Sequence, residues 1–220
     1  PELHAMIDRL VALADMPKPR VAVAVTDMPN AFATGRSPKH SAVCVTTGIM
    51  QRLDADELEG VLAHELAHVA NRDVSVMTVA SSLGLLAGFL TRWGMFFGGG
   101  NRRDGNGPGF LVILQVSLVV SFVSFLLTRA LSRYRELSAD RSGAYLTGRP
   151  SKLASALVKI SGDMGRIPTS DLREAQSMNA FFIAPAVNGQ SVQELMSTHP
   201  PLQARLDQLA RIGADLTERR

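Results

Sequence analysis

The sequence predicts a mainly helical α+β protein with a small β-hairpin or sheet, interrupted by a two-helix transmembrane hairpin. Three observations support this fold class. Apolar residues recur at helical spacing over most of the chain, two short β-branched stretches lie near its start, and two long runs carry no charged residue. The mean hydropathy is +0.10 although aromatic residues make up only 5%. The two uncharged runs account for that excess.

Composition excludes several classes of protein. The chain has 220 residues, which is a length typical of one or two domains. Its net charge of +3 excludes the strongly basic surface of a dedicated nucleic-acid binder, and its 46% apolar content excludes disorder. Cys44 is the single cysteine, so an internal disulfide or a site of several thiolates is excluded. Because Cys44 falls in a predicted strand, we expect a small core residue rather than a metal ligand.

Residues 1–73 predict a helix, a hairpin and a second helix. Prolines end the first helix, and the apolar stretches 20–26 and 42–46 predict the two strands of the hairpin. Asp54 followed three residues later by Glu57 predicts a capping box. The helix that starts there is expected to continue straight into the first uncharged run.

The uncharged runs are long enough to cross a membrane. Residues 74–91 form a run of 18 and residues 109–128 a run of 20, and about 20 helical residues span the roughly 30 Å of a bilayer core. A glycine-rich segment, 98–108, predicts a tight loop between them. The alternative is a buried core hairpin in a soluble protein, but two such runs rarely coincide in one soluble chain.

A hairpin of two spans over residues 74–128 has a consequence for the rest of the chain. Residues 1–73 and 129–220 must lie on the same side of the membrane, so they can form one discontinuous domain. In the second piece, two apolar helix faces predict core packing: Leu153, Ala156, Leu157 and Ile160 on one helix, and Leu202, Leu206, Leu209 and Ile212 on another. The apolar stretch 180–184 could be core or could line a cleft.

The second helix carries His64-Glu65-Leu66-Ala67-His68. Four residues turn a helix by about 400°, so both imidazoles point the same way and can ligate one zinc ion. Glu65 lies about 100° round the helix, where a carboxylate can reach a metal-bound water and take its proton. Two surface histidines are the alternative, but the apolar neighbours indicate a buried stretch in which imidazoles need partners.

A third ligand is needed for a catalytic zinc. Glu136 and Asp140 lie one helical turn apart just after the second run. Glu136 could complete the coordination set, and Asp140 could accept the free ring N–H of a ligand histidine. Spacing alone leaves open that both are solvated carboxylates on a helix beside arginines.

The chain resembles the HtpX-type membrane-bound zinc metalloproteases, members of the gluzincin group that also includes the CAAX prenyl proteases and OMA-type proteases. The resemblance rests on segments in the family's order over nearly the whole chain. They are Asn30-Ala31-Phe32-Ala33-Thr34-Gly35-Arg36, the zinc motif from Leu58 to Val69 with Asn71-Arg72-Asp73, Ser132-Arg133-Tyr134-Arg135-Glu136 with Ala139-Asp140, and Thr198-His199-Pro200-Pro201 before a helix with Arg205. Leu137 departs from the aromatic residue usual in the family. The resemblance implies two further membrane helices before the position of Pro1.

The resemblance implies the site in detail. One Zn²⁺ per chain would be held by His64, His68 and Glu136, and the catalytic base would be Glu65. Asp140 would accept a hydrogen bond from the ring N–H of a ligand histidine that does not face the metal.

Two further residues are implied with alternatives. Asn30 would bind substrate beside an edge strand, although it could be a turn residue. His199 would be catalytic by stabilising the oxyanion, although it could cap a helix start.

The family's activity would be zinc-dependent endoproteolysis of misfolded or damaged membrane proteins under stress. The chain would be a multi-pass protein of the bacterial inner membrane with its protease domain facing the cytoplasm. Expected partners are membrane protein substrates, the lipid bilayer and the chain itself through self-cleavage, with no nucleic acid. Two alternatives remain open: a CAAX-type prenyl-protein endopeptidase, and a non-catalytic membrane scaffold with a structural metal, in which Glu65 would have no role.

Overall fold

The computed structural model describes residues 2–98, 108–164 and 199–219, which form helices and a small sheet. The helices are α1 (Glu2–Leu13), α2 (Thr47–Arg52), α3 (Ala55–Ala70), α4 (Asp73–Gly98), α5 (Pro108–Thr147), α6 (Pro150–Met164) and α7 (Leu202–Glu218). The strands are β1 (Arg20–Ala24), β2 (Ala31–Ser37) and β3 (His40–Thr46). This mainly helical architecture with a small sheet confirms the predicted fold class. The predicted loop at 98–108 and the stretch 180–184 lie almost entirely outside the described residues.

Two compact units divide the chain. The first comprises Pro1–Val74 and Arg133–Arg220, and the second Ser75–Ser132. The sheet and the zinc motif belong to the first unit, and most of α4 and the first part of α5 belong to the second. All the side chains of the candidate site therefore lie in one unit.

The sheet corrects the predicted hairpin. The two predicted strands are β1 and β3, but they pair in parallel, and the strand order is β1-β3-β2. The hairpin partner of β3 is β2, an antiparallel edge strand that the sequence analysis missed. It escaped notice because small and polar residues break its apolar alternation. Its register shifts between Gly35 and Ser37. Gly35 has a φ of +145°, and a Cβ on it would lie 2.3 Å from the His40 carbonyl oxygen, so this position requires glycine.

Helix α3 forms the centre of the core. The predicted capping box is confirmed: Asp54 accepts from the Glu57 N–H at 2.8 Å, and the Glu57 carboxylate accepts from the Asp54 N–H at 2.9 Å. The predicted apolar face of α6 packs in the same core, which confirms it. On α7, Leu209, Ile212 and the partly buried Leu202 pack there as predicted, whereas Leu206 is not among the core residues. Fully or almost fully buried members of this core are Val61, Leu62, Leu66, Leu153, Ala156, Leu157, Ile160 and Leu209.

The end of α3 differs from the prediction. The helix does not run straight into the apolar run but ends with Asn71 as its C-cap residue. Arg72 follows in the left-handed region at φ +55°, and α4 begins at Asp73. One left-handed residue redirects the chain because it cannot continue a right-handed helix. Asp73 is thereby placed beside the last turn of α3.

The second unit exposes large apolar side chains. In α5, Leu118, Phe122 and Leu127 are 67%, 59% and 64% exposed, which does not fit the alternative of a buried core hairpin. Gln115–Thr147 is the one described stretch long and apolar enough to cross a membrane by length and composition. In α4 the apolar stretch Asp73–Leu86 is shorter, so the two-span hairpin stays a prediction.

Candidate metal centre and active site

The two motif histidines face each other across one turn of α3. Their Nε2 atoms are 3.1 Å apart, and their rings are perpendicular at 89° with centroids 4.7 Å apart. His64 is 1% exposed and His68 16%. Both side chains are therefore held inside the fold with their Nε2 atoms converging on one point.

Helix α5 carries Glu136 to that point. Gly143 makes this possible, because a Cβ there would lie 2.9 Å from the backbone nitrogen of His64 and 3.2 Å from the Ala63 carbonyl carbon. The two helix backbones touch directly at the motif. Glu136 places Oε1 3.4 Å from Nε2 of His68 and Oε2 3.7 Å from Nε2 of His64.

These separations are short enough for one metal ion. Ligand atoms bound at about 2.0–2.1 Å in a tetrahedron lie about 3.3 Å from one another. The two Nε2 atoms are 3.1 Å apart, and the carboxylate of Glu136 offers Oε1 to His68 at 3.4 Å and Oε2 to His64 at 3.7 Å. All candidate ligand atoms of this triad lie within 4.8 Å of one another. The triad brings together the three residues that the family resemblance implies as metal ligands.

Asp140 lies behind His64. Its Oδ1 is 2.8 Å from Nδ1 of His64, and it also receives Arg205 from α7, with Nε donating to Oδ2 at 2.7 Å and Nη2 donating to Oδ1 at 2.6 Å. All three side chains are at most 2% exposed. A carboxylate at Nδ1 keeps the proton on that nitrogen and leaves the Nε2 lone pair for a metal.

A similar arrangement lies behind His68. Its Nδ1 is 2.5 Å from Oδ2 of Asp73, and Oδ1 of Asp73 is 2.9 Å from Nε of Arg135. Burial alone lowers the pKa of His68, but the Asp73 hydrogen bond and the nearby carboxylates outweigh it and raise this pKa above its ordinary value.

Glu65 faces the edge strand. Its Oε2 accepts a hydrogen bond from the backbone N–H of Ala33 at 2.9 Å, and the residue is 6% exposed. Burial raises the pKa of Glu65 above its ordinary value, although the neighbouring His64 and His68 oppose that shift. A raised pKa is what a carboxylate needs to act as a proton acceptor and donor near neutral pH.

His199 lies beside the triad. Its Nδ1 is 3.2 Å from Oε2 of Glu136, and its side chain is 9% exposed. The N-cap residue of α7 is Pro201, without a side-chain capping bond, so the alternative role of His199 as the cap of that helix does not apply. The structure thus brings His199 to the candidate metal ligands.

Asn30 lies at the start of the edge strand. Its backbone is fixed by Thr46, whose N–H and Oγ1–H both donate to the Asn30 carbonyl, at 3.0 and 2.9 Å. Asn30 is 5% exposed. In the described part of the chain, the cleft beside His68 is lined from this strand by later residues instead: Ala33, Thr34, Gly35 and Ser37. Cys44 lies half-buried in β3, outside the metal triad.

Sequence reasoning missed several residues of this site. The local sequence pattern predicts no role in the site for Arg205, Asp73, Arg135 or the Ala33 N–H. Asp73 had a usable signal, since it follows His68 by five residues and directly precedes an uncharged run. Contacts of Arg205 and Ala33 depend on long-range packing that no local spacing reveals.

Comparisons with known proteins agree with this geometry. Residues 1–212 match Peptidase family M48. The chain is 59% identical to a protein named Protease HtpX homolog from Moorella thermoacetica, covering 100% of this chain and 75% of that protein. It is 58% identical to Protease HtpX homolog 1 from Streptomyces coelicolor, covering 99% and 73%.

A solved structure is similar in fold. The crystal structure of S. mikatae Ste24p matches with a TM-score of 0.59 at 20% identity, over 93% of this chain and 49% of that chain. This chain thus spans about half the length of that protein, and at such low identity the similarity bears on the fold alone. The sequence matches are far closer and extend over nearly all of the 220 residues. The chain therefore belongs to peptidase family M48 and is an HtpX-type metalloprotease.

Proposed function

We propose that this metalloprotease is a zinc-dependent endopeptidase of the bacterial inner membrane that cleaves misfolded or damaged membrane proteins under stress. The observation that carries the proposal is the convergence of His64, His68 and Glu136, with Glu65 beside them on α3. Two imidazoles and one carboxylate are a donor set that suits zinc in catalytic sites, where the fourth position stays open.

The chain's own residues supply the proton transfers. A bound zinc ion would polarise the scissile carbonyl and make water a stronger nucleophile. Glu65 takes a proton from the attacking water at its carboxylate and passes it to the leaving amine, a role for which burial has raised its pKa. The Ala33 N–H orients that carboxylate by its 2.9 Å bond to Oε2.

Substrate lies along β2 in this proposal. An edge strand can hold an extended peptide through main-chain hydrogen bonds, and β2 is an edge of the sheet that packs against α3. Asn30 at its start would contact the substrate, and His199 would donate to the oxyanion that develops at the scissile carbonyl. The buried position of His199, 3.2 Å from Glu136, supports its part.

The membrane location rests on the apolar unit. The exposed apolar surface of α5 is suited to lipid, and the relatives are HtpX homologues. We propose a multi-pass protein with its protease unit facing the cytoplasm. Substrates would then be polypeptides presented at the membrane surface.

The decisive experiment replaces Glu65 with Gln. Glu65→Gln should bind zinc like the wild-type protein but lose cleavage of casein and of itself by at least about 100-fold. The matched control is Glu59→Gln, which changes another buried glutamate of α3 whose Oε1 contacts Arg9 at 2.6 Å. Folded Glu59→Gln protein should cleave casein as well as the wild type does.

Other outcomes would redirect the assignment. Zinc-loaded protein with an intact Glu65 but no chelator-sensitive proteolysis would leave a scaffold with a structural metal. Cleavage of a prenylated C-terminal peptide in preference to casein and membrane proteins would instead indicate a prenyl-protein endopeptidase. Metal analysis of the purified protein by mass spectrometry identifies the ion.

A further inference from the structure

The support behind His68 differs in burial from the support behind His64. Asp140 is fully buried, whereas His68, Asp73 and Arg135 are 16%, 5% and 14% exposed. Each carboxylate nevertheless lies against an Nδ1 atom and against an arginine. The geometry behind His68 therefore repeats a supporting arrangement in a less buried place.

Asp73 holds its position through two elements. It is the first residue of α4, placed there by the left-handed Arg72, and its other oxygen is 2.9 Å from Nε of Arg135 on α5. The orientation of His68 at the end of α3 thus depends on how the start of α4 is fastened to α5. Within the first unit, Asp73 therefore links the ring of His68 to the first residue of α4 and, through Arg135, to α5.

The direct effect of Asp73 is on the ring of His68. A carboxylate 2.5 Å from Nδ1 holds the proton there, so that the Nε2 lone pair faces Glu136 and His64. Without Asp73 the ring can rotate or change tautomer, and the free energy of metal binding would have to include its reordering.

We propose that Asp73, held by Arg135, is a positioning residue that fixes the tautomer and orientation of His68, so that metal affinity depends on the contact between the start of α4 and α5. The inference rests on the proposed metal site. A competing role is purely structural: an aspartate in the first turn stabilises a helix through its dipole, and loss of that role would lower stability without changing the coordination of the metal.

The test measures metal binding on the full chain in detergent. Zn²⁺ affinity is determined by competition with a chelating dye, and Co²⁺ loaded in its place reports coordination geometry through its visible absorption. We expect Asp73→Ala to weaken zinc binding by about 10–100-fold and to alter the cobalt spectrum. Asp73→Asn keeps the size of the side chain and should weaken zinc binding less than Asp73→Ala does. If the alanine variant does not fold, the same measurements are made on Asp73→Asn.

A second set of variants tests the role of Arg135. Arg135→Gln should weaken zinc binding by a smaller factor, and it should add almost nothing in the Asp73→Ala background because it acts through Asp73. The matched control is Arg149→Gln, which breaks a contact with Asp56 at the start of α3. It should leave both zinc affinity and the cobalt spectrum unchanged.

The outcomes separate this inference from the proposed function. If the wild-type chain binds no zinc, the proposed function fails as well. If the wild-type chain binds zinc but folded Asp73→Ala and Asp73→Asn bind it equally tightly with the wild-type cobalt spectrum, only the positioning role of Asp73 is overturned. A fall in melting temperature of the metal-free protein without loss of affinity also overturns it, in favour of the helix-start role.

Discussion

Arg205 donates two hydrogen bonds to Asp140 inside the core, from Nε to Oδ2 at 2.7 Å and from Nη2 to Oδ1 at 2.6 Å. Oδ1 is also 2.8 Å from Nδ1 of His64. The planar guanidinium fork matches a carboxylate in a way that an ammonium group cannot. Nη1 of Arg205 also lies 3.9 Å from Oε2 of Glu136. Helix α7 therefore supports the metal triad through Asp140 and through Glu136 itself.

Removal of Arg205 should be costly. Arg205→Met leaves Asp140 buried beside His64 without its cation, and breaking a buried pair in this way costs about 3–5 kcal/mol of unfolding free energy. Urea unfolding in detergent measures the loss. Arg205→Lys should recover only part of it, because the two-point contact is not restored.

An exposed ion pair is the control for that measurement. Arg149 lies 2.5 Å from Asp56, and these side chains are 54% and 43% exposed. Arg149→Met should cost less than about 1 kcal/mol because solvent screens such pairs. Equal losses for Arg205→Met and Arg149→Met would show that Asp140 does not depend on Arg205.

Local patterns were sufficient for much of this site. The four-residue spacing of His64 and His68 fixes their common face on any helix, and the same spacing places Glu136 and Asp140 on one face of α5. The capping box at Asp54 likewise depends on residues three apart. These predictions needed only the geometry of one helix.

Contacts between elements were beyond sequence reasoning. The parallel pairing of β1 with β3 arises because β2 lies between them along the chain but pairs with the other edge of β3. The apolar alternation of β2 is too weak to reveal this strand. The break at Arg72 also escaped prediction, because a left-handed residue other than glycine leaves little local signal. Supporting contacts of Asp73 and Arg205 arise only after the helices have packed.

Gly143 should tolerate no side chain. In Gly143→Ala the new methyl would lie 2.9 Å from the His64 backbone nitrogen, so α5 must move away from α3. We expect a loss of about 1–3 kcal/mol together with weaker zinc binding, because Glu136 moves with the helix. Thermal unfolding and dye competition measure the two effects.

Gly162 is a suitable comparison. It is a helical glycine in α6 that has nothing within 4 Å of its added Cβ, so Gly162→Ala should gain about 0.5–1 kcal/mol from helix propensity. If Gly143→Ala were as stable as wild type and bound zinc equally well, close contact between the backbones of α3 and α5 would not be what positions Glu136.

The Ala33 N–H should matter to catalysis more than to folding. Proline lacks this donor, and Ala33→Pro would remove the 2.9 Å bond to Glu65 from an edge strand, where proline is tolerated. Because that bond lowers the pKa of Glu65, its loss should move the acidic limb of the pH–rate profile to higher pH. Ala33→Gly keeps the N–H and should leave the acidic limb in place, and a shift of equal size in both variants would contradict the assignment.

Glu57 should stabilise the protein at neutral pH and lose that stabilising contribution in acid. Its carboxylate accepts from Ser155 at 2.6 Å and from Lys159 at 2.7 Å. Burial raises the pKa of Glu57, but these bonds and the Asp54 N–H outweigh it and hold the pKa below its ordinary value. The stabilisation is therefore fully present above the unfolded-state pKa of about 4.3 and is lost as the pH falls through the lower folded-state pKa.

Replacement by glutamine isolates this contribution. Glu57→Gln should be about 1–2 kcal/mol less stable than wild type at pH 7, where a charged acceptor is lost. The difference should shrink as the pH falls from about 5 toward 3, because the wild-type carboxylate becomes neutral as well. Glu218→Gln, at the exposed end of α7, is the control. A wild-type advantage over Glu57→Gln that stays constant down to pH 3 would mean that the Lys159 and Ser155 contacts do not depend on the charge of Glu57.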